Sequence, residues 1–458
     1  MDVGQAPAGV NEASAPPAGA VDYDEAPVTA FHRRVAVASV GGVFCDGFGL
    51  GIIGIALSIA APQLALGPAW IGLLGGASLA GLFAGALVTG PVADRVGRRP
   101  VFTSNMLVAA GVSAAQCLAT NGTELLLLRL AIGFILGTDY VVSKALLTEF
   151  MPRSLRARRL SFLSIAWAGG YACAYGVGAA LSSAGPGSWR WMLLASAVPC
   201  ALIAPLRLGI AESPVWLVRR GQMERAARIV RESFGAAVRP PRADVAAKPL
   251  PWSALFSPAC RARTLVACAF FTCQVVPYFA VGTFVTQVMA ALHLSGGYAG
   301  GIVYNAALVA GAAAGVLTVD RISRRSFLIG SFLVAAGAML ALSAASNLPA
   351  VLTIALFALF AGVVSAASNL VYVYIPELFP TTVRASGIGL AVAASRVGSA
   401  VGTFVLPVVL SEFGAPTALG ACFLILLLGA AICWRFAPET GHLGLDALDG
   451  LVAPARDG

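Results

Sequence analysis

Gly90-Pro-Val-Ala-Asp94-Arg95-Val-Gly97-Arg98-Arg99-Pro-Val-Phe102 is a short basic loop with one carboxylate and two glycines, wedged between two long apolar runs. A second version, Asp320-Arg321-Ile-Ser323-Arg324-Arg325, again stands between apolar runs. A loop of this kind that returns about halfway along a chain implies a duplicated membrane protein. The question it raises is what passes between the two halves.

Composition agrees with that class. With 58% hydrophobic and 11% charged residues and a mean hydropathy of +0.84, the chain lies outside the range of soluble globular proteins. The net charge of +9 does not mark a nucleic-acid partner, because the arginines fall in short clusters between apolar runs rather than on one continuous face. Nine cysteines are scattered without a CxxC pair or a histidine at ligand spacing, so they read as small buried hydrophobes and no metal is expected. The sequence has no G-x-x-x-x-G-K-[ST] loop and calls for no cofactor. His32, His293 and His442 fall outside the apolar spans, and no Ser/His/Asp or metal-ligand constellation appears, which speaks against an intramembrane enzyme.

A bilayer core about 30 Å thick needs about 20 apolar residues per helix. That rule predicts an all-α polytopic protein with spans near 35 to 61, 70 to 92, 101 to 119, 123 to 149, 160 to 183, 189 to 208, 262 to 290, 298 to 319, 326 to 345, 349 to 375, 384 to 410 and 415 to 436. Basic clusters occupy alternate connections, at Arg95 to Arg99, Arg153 to Arg159, Arg219 to Arg231, Arg321 to Arg325 and Arg384, while the connections before spans 2, 8 and 10 carry no Lys or Arg. Both termini are therefore expected in the cytoplasm. The expected organisation is a disordered cytoplasmic tail (1–34), a first six-helix bundle (35–208), a cytoplasmic linker (209–261), a second bundle (262–436) and a C-terminal tail (437–458). The first segment is Ala/Pro/Gly-rich and acidic, unlike a signal peptide. Within the linker, Gln222 to Ser233 reads as an amphipathic surface helix and 237–251 as irregular, Pro-rich chain.

The duplication can be measured by offset. Asp94 and Asp320 are 226 apart; Glu149-x-x-Pro152-x-x-x-Arg156 and Glu377-x-x-Pro380-x-x-x-Arg384 are 228 apart; Glu212 and Glu439 are 227 apart. Three motif pairs at nearly one offset indicate two homologous six-helix halves.

These residues are where the chain resembles the major facilitator superfamily, in particular its sugar-porter and metabolite:proton symporter group. The G-x-x-x-D-R-x-G-R-R phrase at Gly90 to Arg99 is similar to the superfamily's loop between spans 2 and 3. Arg129 with Glu149 to Arg156 resembles span 4 and its exit, and Trp189-Arg190-Trp191 the head of span 6. Glu212-Ser213-Pro214-Val-Trp216-Leu217, Pro376-Glu377 to Arg384 and Pro438-Glu439-Thr440 resemble the phrases that follow spans 6, 10 and 12. The likeness runs from about residue 35 to 442. It implies two pseudo-symmetric bundles, alternating access, a small-molecule solute and protons as partners, and a monomer in the inner membrane. Sugar porters carry an aspartate where this chain has Gly49; the carboxylate here is Asp46, one turn earlier. The span 5 glutamine is replaced, with Trp167 nearby, and span 7 offers Gln274 alone. Asp46-Gly-Phe, Gly137-Thr-Asp139-Tyr140, Gln274-Val-Val-Pro277-Tyr278 and Ser395-Arg396 look more like bacterial symporters of aromatic acids and phosphate.

Ionisable residues within spans are costly and mark function. They are Asp46, Arg129, Asp139, Lys144 and Arg396. The resemblance pairs the span 1 carboxylate with the span 4 arginine, so Asp46 with Arg129 is expected either to switch with a proton or to be a permanent ion pair. Asp139 is the other candidate proton carrier. Lys144 either snorkels toward Glu149 or meets substrate, and Arg396 either contacts an anion or caps a carbonyl. Tyr140, Trp167, Gln274, Tyr278, Asn305, Asn369 and Tyr372 are further candidates for the cavity lining. The loops form the expected cytoplasmic gate: Gly90, Asp94, Arg95, Gly97, Arg98, Glu149, Arg156 and Glu212 in the first half, and Asp320, Arg321, Arg324, Glu377, Arg384 and Glu439 in the second. There Asp94 is expected to accept from amides opening span 11, with Arg98 at its side. The excess of buried cations favours an organic anion, such as an aromatic or other carboxylate, taken up with a proton. A sugar:proton symporter, a proton-coupled exporter and a non-transporting membrane sensor are the competing readings.

Overall fold

In lipid, every backbone N–H and C=O must find its partner inside the protein, so an apolar run of this length closes into a helix. The computed structural model describes residues 21–241, 252–258, 260–292, 298–319, 321–344, 348–379 and 383–440. Asp320, the loop's second aspartate, and most of the Pro-rich 237–251 stretch lie outside them. Sixteen α-helices are present among the described residues. The first half holds α1 (Ala30–Gln63), α2 (Pro68–Val96), α3 (Arg98–Ala115), α4 (Gly122–Phe150), α5 (Arg153–Leu181) and the broken pair α6 (Ser188–Ala195) and α7 (Ala197–Arg207). Between the halves come α8 (Pro214–Arg219) and α9 (Met223–Phe234). The second half holds α10 (Arg261–Thr283), α11 (Val285–Ala291), α12 (Ala299–Thr318), α13 (Arg324–Ala344), α14 (Ala350–Ala367), α15 (Leu370–Glu377) and α16 (Arg384–Phe436).

Among the described residues, eleven helical stretches are long and apolar enough to cross a membrane. The last is 53 residues, about 80 Å at 1.5 Å per residue, which is too long for one crossing. Gly414 breaks it with φ of 79°, a left-handed conformation that costs glycine nothing. Two crossings result and the total is twelve. The fold is thus two six-crossing bundles.

Each half is closed at one end by the same device, on the face that carries the basic loops. The Glu212 carboxylate accepts from the Arg98 amide (2.9 Å) and the Arg99 amide (3.2 Å), so an acid from beyond α7 caps the orphan N–H groups opening α3. In the second half Glu439 accepts from the Arg324 and Arg325 amides at 3.1 and 3.0 Å and caps α13. The first arginine of each pair also turns back on its own bundle: Arg98 donates to the Ala93 carbonyl and stands 3.5 Å from Glu149, while Arg324 donates to the Val319 carbonyl and stands 3.7 Å from Glu377. Two sets of atoms about 227 residues apart make one geometry, which is the duplication in physical form.

Residues 21–34 differ from the expected disordered tail. α1 begins at Ala30, with Thr29 and His32 forming a capping box. Ahead of it, the Tyr23 ring packs on Phe234 of α9 at 5.1 Å, and its hydroxyl donates to the Glu149 carbonyl at 3.0 Å. An aromatic contact and polar partners in distant parts of the chain supply what the sequence's low hydrophobicity did not promise.

Removing the α3 cap should be felt in stability: Glu212→Ala is expected to cost about 1–2 kcal/mol, read as a lower thermal midpoint in detergent, with Glu439→Ala showing a parallel loss.

Candidate functional site

The two halves meet most closely on the face opposite the basic loops. There the backbone of Gly72 lies on the Phe404 carbonyl and that of Gly54 on the Thr283 carbonyl. Gln287 donates to the Gly54 carbonyl at 3.1 Å, and the Tyr175 and Thr286 hydroxyls pair at 3.0 Å. Toward the loop face the halves still touch at Ser164, which donates to Asn369 at 2.9 Å, and at Lys144, 4.5 Å from the Tyr372 ring. Between these levels lies a partly open cavity walled by side chains of both halves.

Its walls are Tyr140, Ser164 and Trp167 from the first half and Phe271, Tyr278, Phe279, Ser365, Ser368, Tyr372 and Arg396 from the second. Trp167 is the aromatic hub, 5.8 Å from Tyr278 and 5.7 Å from Phe279, centroid to centroid. The Arg396 guanidinium sits 5.5 to 5.8 Å from the faces of Tyr140, Phe271 and Phe279, and the Lys144 ammonium lies 3.4 Å above Tyr140. Ring quadrupoles attract a cation without cancelling its charge. Neither cation has a carboxylate partner among the described residues; Arg396 lines the cavity, and Lys144 stands against two of its lining rings, Tyr140 and Tyr372.

Five of the expected lining residues, Tyr140, Trp167, Tyr278, Tyr372 and Arg396, meet at this cavity. Three do not. Gln274 donates to the Val364 carbonyl (2.8 Å) and faces a separate small void in the second half. Asn305 bonds its own helix at Gly301, and Asn369 ties Ala312, Ala366 and Ser164 together. In each case the amide satisfies helix backbone and packs helices. Ser164, Phe271, Phe279, Ser365 and Ser368 went unread because serines and phenylalanines are common along every span.

The expected Asp46–Arg129 pair is not formed. Arg129 donates to the Gly49 carbonyl at 3.1 Å and reaches Gln116 at 3.5 Å. Gly49 is the position where sugar porters carry their aspartate, so a backbone oxygen takes the place of the missing carboxylate. Asp46, one turn earlier on α1, has Asp139, Arg207 and Lys144 as its charged neighbours. It is buried, and neither carboxylate oxygen has a hydrogen-bond partner.

The fully buried ion pair of the first half is instead Asp139 with Arg207, the last residue of α7. The contact is bidentate: both terminal nitrogens of Arg207 donate to the two Asp139 oxygens. Asp139 further accepts from Asn105 (3.3 Å) and Ser143 (2.9 Å). Arg207 also lies 4.0 Å over the Phe102 ring and donates to the Phe102 carbonyl at 3.1 Å. Gly42 on α1 makes room, since a Cβ there would collide with the guanidinium and stand 2.5 Å from the carboxylate. Arg207 was not singled out in the sequence; its absence of any exposed surface is what distinguishes it.

At the loop face, Arg98 and Asp94 are 2.7 Å apart, and the Asp94 side chain is 69% exposed. Its carboxylate has no partner at the start of α16 among the described residues, contrary to the expected bond across the halves. The Asp94 carbonyl accepts from Trp216 (2.9 Å) and Arg220 (3.0 Å), and that of Arg95 from Arg220 (2.8 Å). Gly90 borders open space, Gly97 turns the chain with φ of 104°, and Arg321 is exposed. Arg156 donates to the Met151 carbonyl (3.1 Å), and Arg384 likewise to those of Pro376 and Phe379 (3.1 and 3.2 Å). The loop charges thus consolidate each half.

Two six-crossing bundles around a central cavity, each locked by this motif set, define a transporter of the major facilitator superfamily. The family model described as "Sugar (and other) transporter" matches residues 35–451, and the chain belongs to that family. It is 38% identical over 427 residues to the inner membrane metabolite transport protein YgcS of Escherichia coli, covering 93% of this chain and 96% of that one. It is 24% identical over 436 residues to the niacin transporter NiaP of Acinetobacter baylyi, with 92% and 97% covered. Among solved structures, the partially occluded inward-open xylose transporter XylE of E. coli superposes with a TM-score of 0.76 at 19% identity, covering 90% of this chain and 99% of that one. The protein is therefore a multi-pass membrane transporter, related to secondary carriers of metabolites.

Breaking the buried pair should cost more than removing it. Arg207→Met leaves Asp139 uncompensated and is expected to destabilise by about 3–5 kcal/mol, seen as lost monodisperse protein in detergent, while Arg207→Met combined with Asp139→Asn should recover much of the loss.

Proposed function

We propose that the protein takes up a small organic anion, an aromatic or other carboxylate, together with a proton across the inner membrane. The observation that carries the anion reading is the cavity's charge balance. Arg207 is offset by Asp139, which leaves Lys144 and Arg396 beside the cavity without a carboxylate. A solute that brings its own negative charge lowers the cost of keeping two cations out of water. Aromatic walls at Trp167, Tyr278 and Phe279 offer faces for an apolar or ring-bearing body. The niacin transporter among the relatives supports this reading, and the sugar:proton symporter is the competing one.

Asp46 is the proton carrier in this account. Asp139 accepts four hydrogen bonds, two of them from the Arg207 guanidinium, and is committed to that pair. A buried carboxylate with no donor on either oxygen is stable only as the neutral acid. The charges near Asp46 are Asp139, Arg207 and Lys144. When the site opens to the less acidic side, solvent lets Asp46 release its proton, and its new negative charge competes with the anion for Lys144. Proton release and solute release are thereby coupled. The chain acts as a monomer with the basic-loop face and both termini in the cytoplasm, and the two bundles rock about the central site. The loop-face clusters then serve as a gate, with Asp94 free to find a partner on the other half when that face closes.

With acid outside, Asp46→Asn should abolish proton-driven accumulation in vesicles while counterflow exchange survives; accumulation at the wild-type level would remove Asp46 from the proton path. Arg396→Gln should raise the half-saturation constant for a transported carboxylate about ten-fold or more, in line with loss of a charge-assisted bond, and a panel of aromatic acids, dicarboxylates, phosphate and sugars tested for thermal stabilisation should lose its carboxylate hits in that variant. Stabilisation by sugars alone would favour the sugar reading.

A further inference from the structure

The segment ahead of α1 is tied to the segment between the halves and to α4 and α5 of the first half. The Val21 amide donates to the Ala237 carbonyl at 2.8 Å, and the Arg239 amide returns to the Val21 carbonyl at 2.9 Å. The Thr29 hydroxyl donates to the Ser233 carbonyl at 3.1 Å, at the end of α9. Tyr23 packs on Phe234 and reaches the Glu149 carbonyl at the end of α4. Asp24 then pairs with Arg156 at 2.6 Å, in the first turn of α5. Glu149 and Arg156 are the two charged residues of the E-x-x-P-x-x-x-R phrase, so one strand of chain grips both.

Arg384, the second-half counterpart of Arg156, makes the same bonds to the carbonyls of its own turn. It has no carboxylate partner among the described residues, and its Nη2 is buried without an acceptor. Asp24 is therefore an addition to an otherwise symmetric motif. The contact between halves at Ser164 and Asn369 shows where Arg156 would otherwise turn. Arg156 precedes Ser164 by eight residues and Glu377 follows Asn369 by eight, on antiparallel helices, so both lie about 12 Å from that hydrogen bond toward the loop face. Closing the loop face brings Arg156 toward Glu377. Here Glu377 is instead held by the Thr440 hydroxyl at 2.5 Å, with Arg324 nearby.

We propose that residues Val21 to Thr29 form a strap that holds Arg156 on Asp24 and so favours the arrangement in which the loop face is apart, in competition with Glu377. The strap rests on the alternating-access reading. Being anchored to α9 and the 237–239 segment, it links the position of the inter-bundle segment to the gate. Asp24 and Arg156 are 58% and 29% exposed in their side chains, so the pair is worth a modest shift, and removing it should change the state ratio about two- to five-fold.

The test is a distance measurement on the full chain, with spin labels at Val96→Cys and Ile322→Cys on the loop face of either half and Cys117, Cys173 and Cys268 replaced by alanine. Val96 and Ile322 are exposed. Asp24→Asn should raise the short-distance population about two- to five-fold over the parent, and adding Glu377→Gln should bring it back toward the parent ratio. Asp24→Glu should leave the ratio where it was. Two populations whose ratio ignores Asp24→Asn would overturn the strap alone, as would a rise that Glu377→Gln fails to reverse. A single distribution in every variant would overturn the strap together with alternating access.

Discussion

A charge inside a bilayer must have a partner or be neutral, and the interior of this protein can be read from how each ionisable group meets that constraint. Asp139 and Arg207 meet it by pairing, with Asn105, Ser143 and backbone carbonyls completing the shell. Arg129 meets it in part through the Gly49 carbonyl. Lys144 and Arg396 rest on aromatic faces, which stabilise a cation and leave its charge available. Among the described residues neither oxygen of Asp46 has a donor, and the proposed role of proton carrier starts from that. A group kept neutral by its surroundings is one that a change of surroundings can ionise, which is what a proton-coupled cycle requires.

Order at the loop face serves a different purpose. Glu212 and Glu439 cap α3 and α13 in the same way, and Arg98 and Arg324 repeat each other's bonds. Such symmetric clusters make each half a rigid body. Among the described residues few polar contacts cross between halves at this face, while the opposite face is closed by backbone approaches at Gly54 and Gly72 and by the Gln287 and Tyr175 hydrogen bonds. Rigid halves with a sparse seam suit rocking, and the central cavity lies where the seam would pivot. The asymmetric additions, Asp139–Arg207 within the first half and Asp24 on Arg156, are where this chain departs from a duplicated scaffold.

Crossings and duplication were legible because both leave periodic traces: apolar runs set by bilayer thickness, and motif pairs at a constant offset. Five cavity residues were legible because aromatic and charged side chains are rare in spans. The ion pair was misread although the one-turn offset of Asp46 from Gly49 was visible, because the sequence does not show that a backbone carbonyl, that of Gly49, takes the place facing Arg129. Arg207 was missed because a cation ending a span is ordinarily a topology signal, and only burial shows that it turns inward. Gln274, Asn305 and Asn369 looked like solute ligands because an amide in a span has two uses, and only the geometry shows which carbonyl it satisfies. The ordered stretch from Val21 was hidden by a composition typical of tails; its partners are over a hundred residues away.

In the proposed cycle Asp46 carries the proton and Asp139 does not. Infrared difference spectroscopy on protein reconstituted in lipid, stepped between acid and alkaline pH, reads this directly through the carbonyl stretch of a protonated carboxylic acid. The account predicts one such band that disappears in Asp46→Asn and persists in Asp139→Asn. A band that survives Asp46→Asn and vanishes in Asp139→Asn would contradict it.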